Sequence, residues 1–184
     1  VDTAWQQAQI SRNFGGLQAL MSNSMSSVQL GAAAGKTDGD VTTAGDPGYV
    51  AAKDTYQQTI TINLPTNLSA TDAIRAGDTI EVTQADRNRI HLKTRQVIFG
   101  ADGSPIPWTY KVVTGGDTDG SGDVTITVTG AAINESGQYD NIQNPIQAGD
   151  TISVLGTTNA IVQPNLFYHR EAFGVGTIKL PKLH

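Results

Sequence analysis

Ala76-Gly77-Asp78-Thr79-Ile80-Glu81-Val82 is repeated later in the chain as Ala148-Gly149-Asp150-Thr151-Ile152-Ser153-Val154. Each copy begins with a turn signal, because glycine frees the backbone and aspartate can accept hydrogen bonds from nearby amides. Each then alternates polar and apolar residues, which is typical of a strand with one buried face. The pattern predicts that Ile80 and Val82 are buried. We interpret the two copies as two strands of one sheet rather than as ligand loops, which short motifs often mimic by chance.

Four further segments predict strands, which brings the total to six. Turn signals separate them at intervals of about 8 to 12 residues, which favours a small antiparallel barrel or sandwich. The composition agrees, because aromatic residues are few and threonine recurs between isoleucine and valine. The four segments are residues 59–64, 87–99, 105–113 and 124–129. In the third segment Ile106, Trp108, Tyr110 and Val112 share one face, and in the fourth Val124, Ile126 and Val128 share one face.

The two ends of the chain are less β-like. Apolar residues between Phe14 and Met21 have helical spacing around Gly15-Gly16, which predicts a short helix or two around a glycine bend. Near the other end, residues 166–173 predict one or two helical turns and residues 173–180 a strand. The chain begins with Val1 rather than methionine, so we expect a processed chain or a piece of a longer protein.

Residues 31–53 are rich in glycine, alanine, threonine and aspartate. Their sequence offers nothing that we expect to bury a face. We predict a long loop or an extended hairpin, and a loop of this length in a compact domain is usually functional or disordered.

Several classes of function are excluded or disfavoured by composition. The chain contains no cysteine, which excludes disulfides, thiolate metal sites and a cysteine nucleophile. No apolar run approaches the roughly 18–20 residues that cross a bilayer, so we expect no membrane association.

An acidic turn, Asp117-Thr118-Asp119-Gly120-Ser121-Gly122-Asp123, resembles the start of a calcium-binding loop. The EF-hand pattern requires a glutamate at its twelfth position, where Val128 stands, and the flanking segments are predicted strands. We therefore predict a solvated turn and no metal site.

No arrangement of residues in the sequence indicates catalysis. The three histidines, His91, His169 and His184, lack metal-binding spacing. The chain also has no Gly-x-Ser-x-Gly element, phosphate loop or dinucleotide motif. We predict that the protein is not an enzyme and has neither catalytic residues nor a cofactor.

Basic residues occupy alternate positions between residues 87 and 95. On a continuous strand they would share one face about 26 Å long. Such a face could be merely solvated, could bind an acidic surface, or could bind nucleic acid. Nucleic acid is the least favoured, because no aromatic residues lie between the cations and the chain has a net charge of −5. We expect no specific nucleic-acid recognition.

Residues 35–54 have the opposite charge, so this loop of one copy could bind the basic residues of a neighbouring copy. The candidates for inter-subunit contact are Asp38, Asp40, Asp46, Asp54, Arg87, Arg89, Lys93 and Arg95.

The order of segments along the chain resembles a known family. The segments that carry the resemblance are Asn13-Phe14-Gly15-Gly16-Leu17, the strands at 59–64 and 76–84, Arg95-Gln96, and the run from Gln163 to Phe173. Together they are similar to the major capsid (coat) proteins of short-tailed double-stranded DNA bacteriophages, which carry an inserted β-barrel in the phage capsid fold.

The resemblance implies a domain organisation. Residues 28–162 would form a six-stranded barrel that is inserted into a shell domain and assists its folding. Residues 1–27 and 163–184 would be short α/β pieces of that shell domain. The loop at 35–54 would contact a neighbouring capsomer, and residues 99–106, although only a short turn here, correspond to a loop that influences shell size.

The resemblance also implies partners and location. The partners would be other copies of the chain in an icosahedral shell, with scaffolding protein and portal during assembly. The protein would be assembled in the host cytoplasm and located in the virion. The alternative is a β-barrel binding module of a phage tail or a carbohydrate-binding domain. Exposed rings distinguish the two, because sugars stack on exposed aromatic faces, whereas Trp108 and Tyr110 share a predicted face with apolar residues.

Overall fold

A computed structural model describes residues 9–14, 17–20, 26–45, 48–135 and 137–163 of the 184 residues. The chain divides into two compact units, one of Val28–Val162 and one of Val1–Ser27 with Gln163–His184. Within the described ranges, no helix has the length and apolar character needed to cross a bilayer.

The smaller unit contains two antiparallel strands, β1 (Gln9–Phe14) and β2 (Leu17–Leu20), with Phe14 opposite Leu17. The helix predicted around Gly15-Gly16 was therefore wrong. Two glycines between strand-like segments are themselves a hairpin signal, and this signal outweighs the helical spacing of a few apolar residues. The helix predicted at 166–173 and the strand at 173–180 lie outside the described residues.

The larger unit is built around a six-stranded antiparallel sheet. The elements of this unit are β3 (Val28–Gln29), β4 (Gly39–Thr43), α1 (Tyr49–Ala52), β5 (Gln57–Asn63), β6 (Thr79–Val82), β7 (Thr109–Thr114), β8 (Asp123–Thr129), β9 (Thr151–Leu155) and β10 (Ile161–Val162). The strands of the sheet follow the order β4, β5, β8, β7, β6, β9, and β4 also pairs with β9, so the sheet closes on itself. The prediction of a mainly β chain with six antiparallel strands is confirmed. A separate short ladder pairs β3 with β10.

The two copies of the repeated stretch become β6 and β9, which pair directly with each other. Ile80 lies opposite Val154 and Val82 opposite Ile152, and all four side chains are buried. Both the prediction of two strands in one sheet and the predicted buried face are confirmed.

The hydrophobic core lies inside the closed sheet because each strand directs alternate side chains inward. The predicted inner faces of β7 and β8 are confirmed, except that Ile106, before β7, is only half-buried. Trp108, immediately before β7, is part of this core. Besides the residues of β6 and β9, the strands contribute Val41, Ile60, Ile62, Tyr110, Val112, Val124, Ile126 and Val128 to it.

The segment predicted as a loop without a buried face contains both β4 and α1. That prediction was wrong, since Val41 and Ala52 are fully buried. β4 is hard to recognise in the sequence because most of its residues are small, yet a small residue suits the crowded position at Gly39. A Cβ at Gly39 would lie 3.0 Å from side-chain atoms of both Ile152 and Leu64.

Residues 87–99 do not form the continuous strand that was predicted. They make only isolated bridges, such as Ile90 with Val97 and Phe99 with Pro105. Arg95 has φ +59° and Asp86 has φ +64°, a left-handed backbone conformation that is incompatible with a strand. The basic side chains therefore do not line one extended face.

Candidate interaction surfaces

The two repeated turns use their aspartates in the same way. An Oδ of Asp78 accepts a hydrogen bond from the backbone N–H of Arg75 at 2.9 Å, and Asp150 accepts one from Gln147 at 2.8 Å. In each turn the carboxylate binds the amide three residues earlier, which fixes the bend before the strand. Asp78 also accepts a bond from the N–H of Gly31 at 3.2 Å. The local hydrogen bonding expected for these aspartates is confirmed.

Arg87 forms a bidentate ion pair with Asp150. Its Nε and Nη2 lie 2.6 Å and 3.0 Å from the two carboxylate oxygens. Only 13% of the arginine side chain and 7% of the aspartate side chain are exposed. This predicted contact residue is therefore engaged within its own chain.

Arg89 and Arg95 are also held within the chain. Arg89 donates from Nη2 to the carbonyl and hydroxyl oxygens of Thr109, and its guanidinium lies 5.0 Å from the ring centroid of Trp108, in cation–π range. Arg95 donates to the carbonyl oxygens of Gly137 and Asp140. The three arginines thus stabilise the loops that carry them.

The carboxylate of Asp140 lies 4.0 Å from Arg95. Burial raises the pKa of Asp140 above its ordinary value, and the nearby guanidinium opposes that shift. Desolvation therefore has a larger effect than the ion pair at this position.

Lys93 differs from the three arginines. It is exposed, and it makes no ion pair with any residue that the structure describes. Nearby, Nδ1 of His91 accepts hydrogen bonds from the backbone N–H groups of Lys93 and Thr94, each at 3.3 Å, and these bonds shape the turn that carries Lys93. Lys93 is thus the cation of this group that remains available to another molecule.

The predicted acidic residues are dispersed. Asp38 is exposed, Asp40 is half-buried on β4, and Asp54 is paired with Lys53 at 2.9 Å. Asp46 lies outside the described residues. Across the described ranges no ion pair joins this acidic group to the basic group, so the structure does not bring the two together within one chain.

The carboxylates of the acidic turn bind the protein itself. Oδ1 of Asp119 accepts hydrogen bonds from the backbone N–H groups of Ser121 at 2.8 Å and Asp123 at 2.9 Å, and these bonds lower the pKa of Asp119. Asp117 accepts the N–H of Asp72 at 2.7 Å. Among the residues that the structure describes, no group of three or more potential ligands could hold a metal ion.

We expect Asp119→Ala to reduce thermal stability near neutral pH and to matter less in acid. A lowered pKa contributes stability above the ordinary value of 3.8, and this contribution is lost as pH falls through the folded-state pKa. Melting temperatures of the unsubstituted protein and of Asp119→Ala, measured between pH 7 and pH 2, should therefore converge in acid. Asp38→Ala, at an exposed site, serves as the control, and a gap that stayed constant with pH would contradict the assigned role.

Sequence reasoning missed a pair of stacked tyrosines. The rings of Tyr49 and Tyr139 lie parallel with centroids 3.4 Å apart. They join α1 to the loop before Asn141, whose side chain donates to the hydroxyl of Tyr56 at 2.6 Å. No periodicity signals such a contact, because both tyrosines lie outside the strands and are 90 positions apart in sequence (139 − 49).

Comparison with known proteins identifies the family. Residues 1–184 match the family described as "P22 coat protein - gene protein 5". The chain is also 37% identical over 188 residues to a major capsid protein from Acyrthosiphon pisum secondary endosymbiont phage 1. That alignment covers 100% of this chain and 43% of the relative, so the chain spans less than half of the relative's length. The resemblance to phage coat proteins is confirmed, and the chain belongs to the P22 coat protein family.

Proposed function

We propose that this chain is a segment of the major capsid subunit of a bacteriophage head, in which it acts as a structural protein and is located in the virion. The observation that carries this proposal is the family match, which covers the whole chain. Copies of the same subunit are its main partners, with scaffolding protein and portal during assembly in the host cytoplasm. Trp108 and Tyr110 are buried rather than exposed, so these two rings do not offer the stacking platform that the alternative, a sugar-binding module, requires.

We further propose that residues 28–162 form a β-barrel inserted into a shell domain, to which residues 1–27 and 163–184 belong. The pairing of β3 with β10 supports an insertion, because Gln29 lies opposite Ile161 and Val28 opposite Val162. A domain whose first and last residues lie side by side can be inserted into another without disturbing it.

The insertion can be tested with two proteins. Residues 28–162 expressed alone should unfold in one cooperative transition, because they contain the closed sheet and its core. The complete subunit with these residues replaced by a short linker should give a lower yield of folded protein, if the barrel assists folding. Failure of residues 28–162 to fold alone would contradict the proposed domain boundary.

Contacts between copies are proposed for those residues of the predicted set that have no ion-pair partner among the described residues. Asp38 and Lys93 are exposed and Asp40 is half-buried, so these three remain suitable, whereas Arg87 is engaged by its own chain. The turn at 99–106, closed by a hydrogen bond from Gly100 N–H to the carbonyl oxygen of Ser104 at 2.8 Å, exposes 60% of Phe99. We propose that this turn also faces neighbouring subunits and influences shell size.

Replacing both Asp38 and Asp40 with alanine should leave the melting temperature of the unassembled subunit nearly unchanged but weaken assembly. A single exposed ion pair contributes about 0–1 kcal/mol, yet a shell repeats it at every copy. The defect should resemble the effect of raised salt, since exposed charges are screened over about 8–10 Å near physiological ionic strength.

Particle yield, measured by sedimentation and electron microscopy at two salt concentrations, provides the test. Asp54→Ala is a matched control, because its carboxylate is already paired with Lys53. Normal, salt-insensitive particles from the double variant would remove Asp38 and Asp40 from assembly while leaving the family assignment intact.

A further inference from the structure

Two surface loops of the larger unit contact the same intervening segment. The first loop, residues 91–96, ends the basic run, and the second, residues 48–56, carries α1. Between them lie residues 131–135 and 137–142, which we call the strap. Within the described part of the chain, no hydrogen bond or ion pair joins residues 91–96 directly to residues 48–56. The polar contacts that connect the two loops therefore run through the strap.

The 91–96 loop is fastened to the strap by Arg95. The planar guanidinium donates to two strap carbonyl oxygens, those of Gly137 and Asp140, and holds them in a fixed arrangement. Just before the loop, the backbone N–H of Ile90 donates to the carbonyl oxygen of Asn141 at 3.2 Å. The strap therefore cannot move at these positions without disturbing the loop.

The 48–56 loop contacts the same strap residues from its own side. Tyr139, between the two carbonyls held by Arg95, stacks on Tyr49 of α1. Ala52 packs with strap residues in a small second hydrophobic cluster. Asn141, only 7% exposed, donates from Nδ2 to the hydroxyl of Tyr56 at 2.6 Å. Strap residues that contact the first loop, Gly137 and Asp140, thus alternate along the chain with Tyr139 and Asn141, whose side chains contact the second loop.

We propose that the strap couples the two loops, so that fixing either loop stabilises the other. Asn141 is central to this coupling. Its backbone oxygen binds Ile90 beside the first loop, and its side chain binds Tyr56 in the second loop. The same side chain is fixed by the N–H of Ile133 at 2.8 Å and by the carbonyl oxygen of Ala131 at 3.0 Å. A side chain held by three partners transmits a displacement instead of absorbing it.

The consequence for a shell rests on the proposed capsid function. Exposed residues occur on both loops, including Leu92 and Lys93 on the first and Val50, 77% exposed, on the second. A neighbouring copy that bound one loop would order the other loop for a second neighbour. The coupling is reciprocal, because a free energy of coupling between two sites acts equally in both directions.

Hydrogen exchange of the complete, unassembled coat subunit tests the coupling directly. The amides of Lys53 and Tyr56 are informative, because they donate to the carbonyl oxygens of Tyr49 and Ala52 at 2.8 Å and 2.5 Å. Arg95→Ala should accelerate their exchange by about threefold or more, a size typical of coupling through packed side chains. Lys93→Ala, in the same loop but without an ion-pair partner among the described residues, should leave them unchanged.

The reciprocal experiment uses Tyr49→Ala, which should accelerate exchange at the amides of His91 and Arg95. If either variant accelerated exchange only in its own loop and the strap, the coupling would be refuted. If Arg95→Ala accelerated exchange throughout the protein, the same measurement would be made on Arg95→Lys, since lysine keeps the charge but lacks the planar fork. Faster exchange at Lys53 and Tyr56 in that variant would support the coupling, and faster exchange in the 91–96 loop and the strap alone would refute it. The subunit is unassembled throughout, so a negative result would overturn the coupling without bearing on the proposed place of the chain in a capsid.

Discussion

Ile126→Asp is expected to unfold the closed sheet. Ile126 lies in the middle of β8, directly opposite Ile60 of β5, and only 1% of it is exposed. An aspartate there would be a buried carboxylate without a partner, which costs several kcal/mol. A domain of this size is typically stable by about 5–15 kcal/mol, so this single change removes much or all of the stability.

Thr127→Asp is the matched control, because it introduces the same side chain one position later. Successive side chains of a strand point to opposite faces, and Thr127 is only half-buried. We expect it to be tolerated. Thermal unfolding followed by circular dichroism should show a lost or strongly lowered transition for Ile126→Asp alone, and equal melting of the two variants would show that the assigned inner face is wrong.

The sequence predicted those strands in which large apolar residues alternate with polar ones. In β8, threonines separate Val124, Ile126 and Val128, so the sequence alone is enough to predict which face is buried. The pattern failed in two places. β4 has one large apolar residue, Val41, and relies on Gly39 for close packing, so its burial depends on Ile152 and Leu64, which are distant in sequence.

The second failure, at residues 87–99, also explains why the candidate site was only partly predictable. Alternating charges resemble a strand, but a left-handed Arg95 turns the chain, and such a conformation of a non-glycine residue has no reliable signal in sequence. The partners of the arginines were equally hidden. Asp150 is 63 positions from Arg87, and residues 137 and 140 are more than 40 positions from Arg95. Charge composition indicates that cations are present but not which of them are already engaged.

Asp150→Ala is expected to destabilise the folded protein by about 3–5 kcal/mol, because it leaves Arg87 largely buried and without its carboxylate partner. The variant also removes the oxygen that accepts the Gln147 amide and thereby loosens the turn before β9. Asp54→Ala makes the same substitution in an exposed ion pair, in which the aspartate side chain is 81% exposed, and should cost no more than about 1 kcal/mol. Urea unfolding at pH 7 measures both values.

Replacing both partners separates the cost of an unpaired charge from the value of the ion pair itself. Arg87→Met with Asp150→Ala removes the buried cation together with its carboxylate, while methionine retains much of the apolar stem. Since no charge is then left buried, the double variant should be more stable than Asp150→Ala alone. Its remaining deficit should reflect the unbonded Gln147 amide, which costs about 1–3 kcal/mol if it stays buried. Arg87→Met alone completes the comparison. If the double variant lost the full sum of the losses measured for Arg87→Met and Asp150→Ala separately, the two side chains would not be coupled, and the guanidinium of Arg87 would find water or another acceptor when Asp150 is absent.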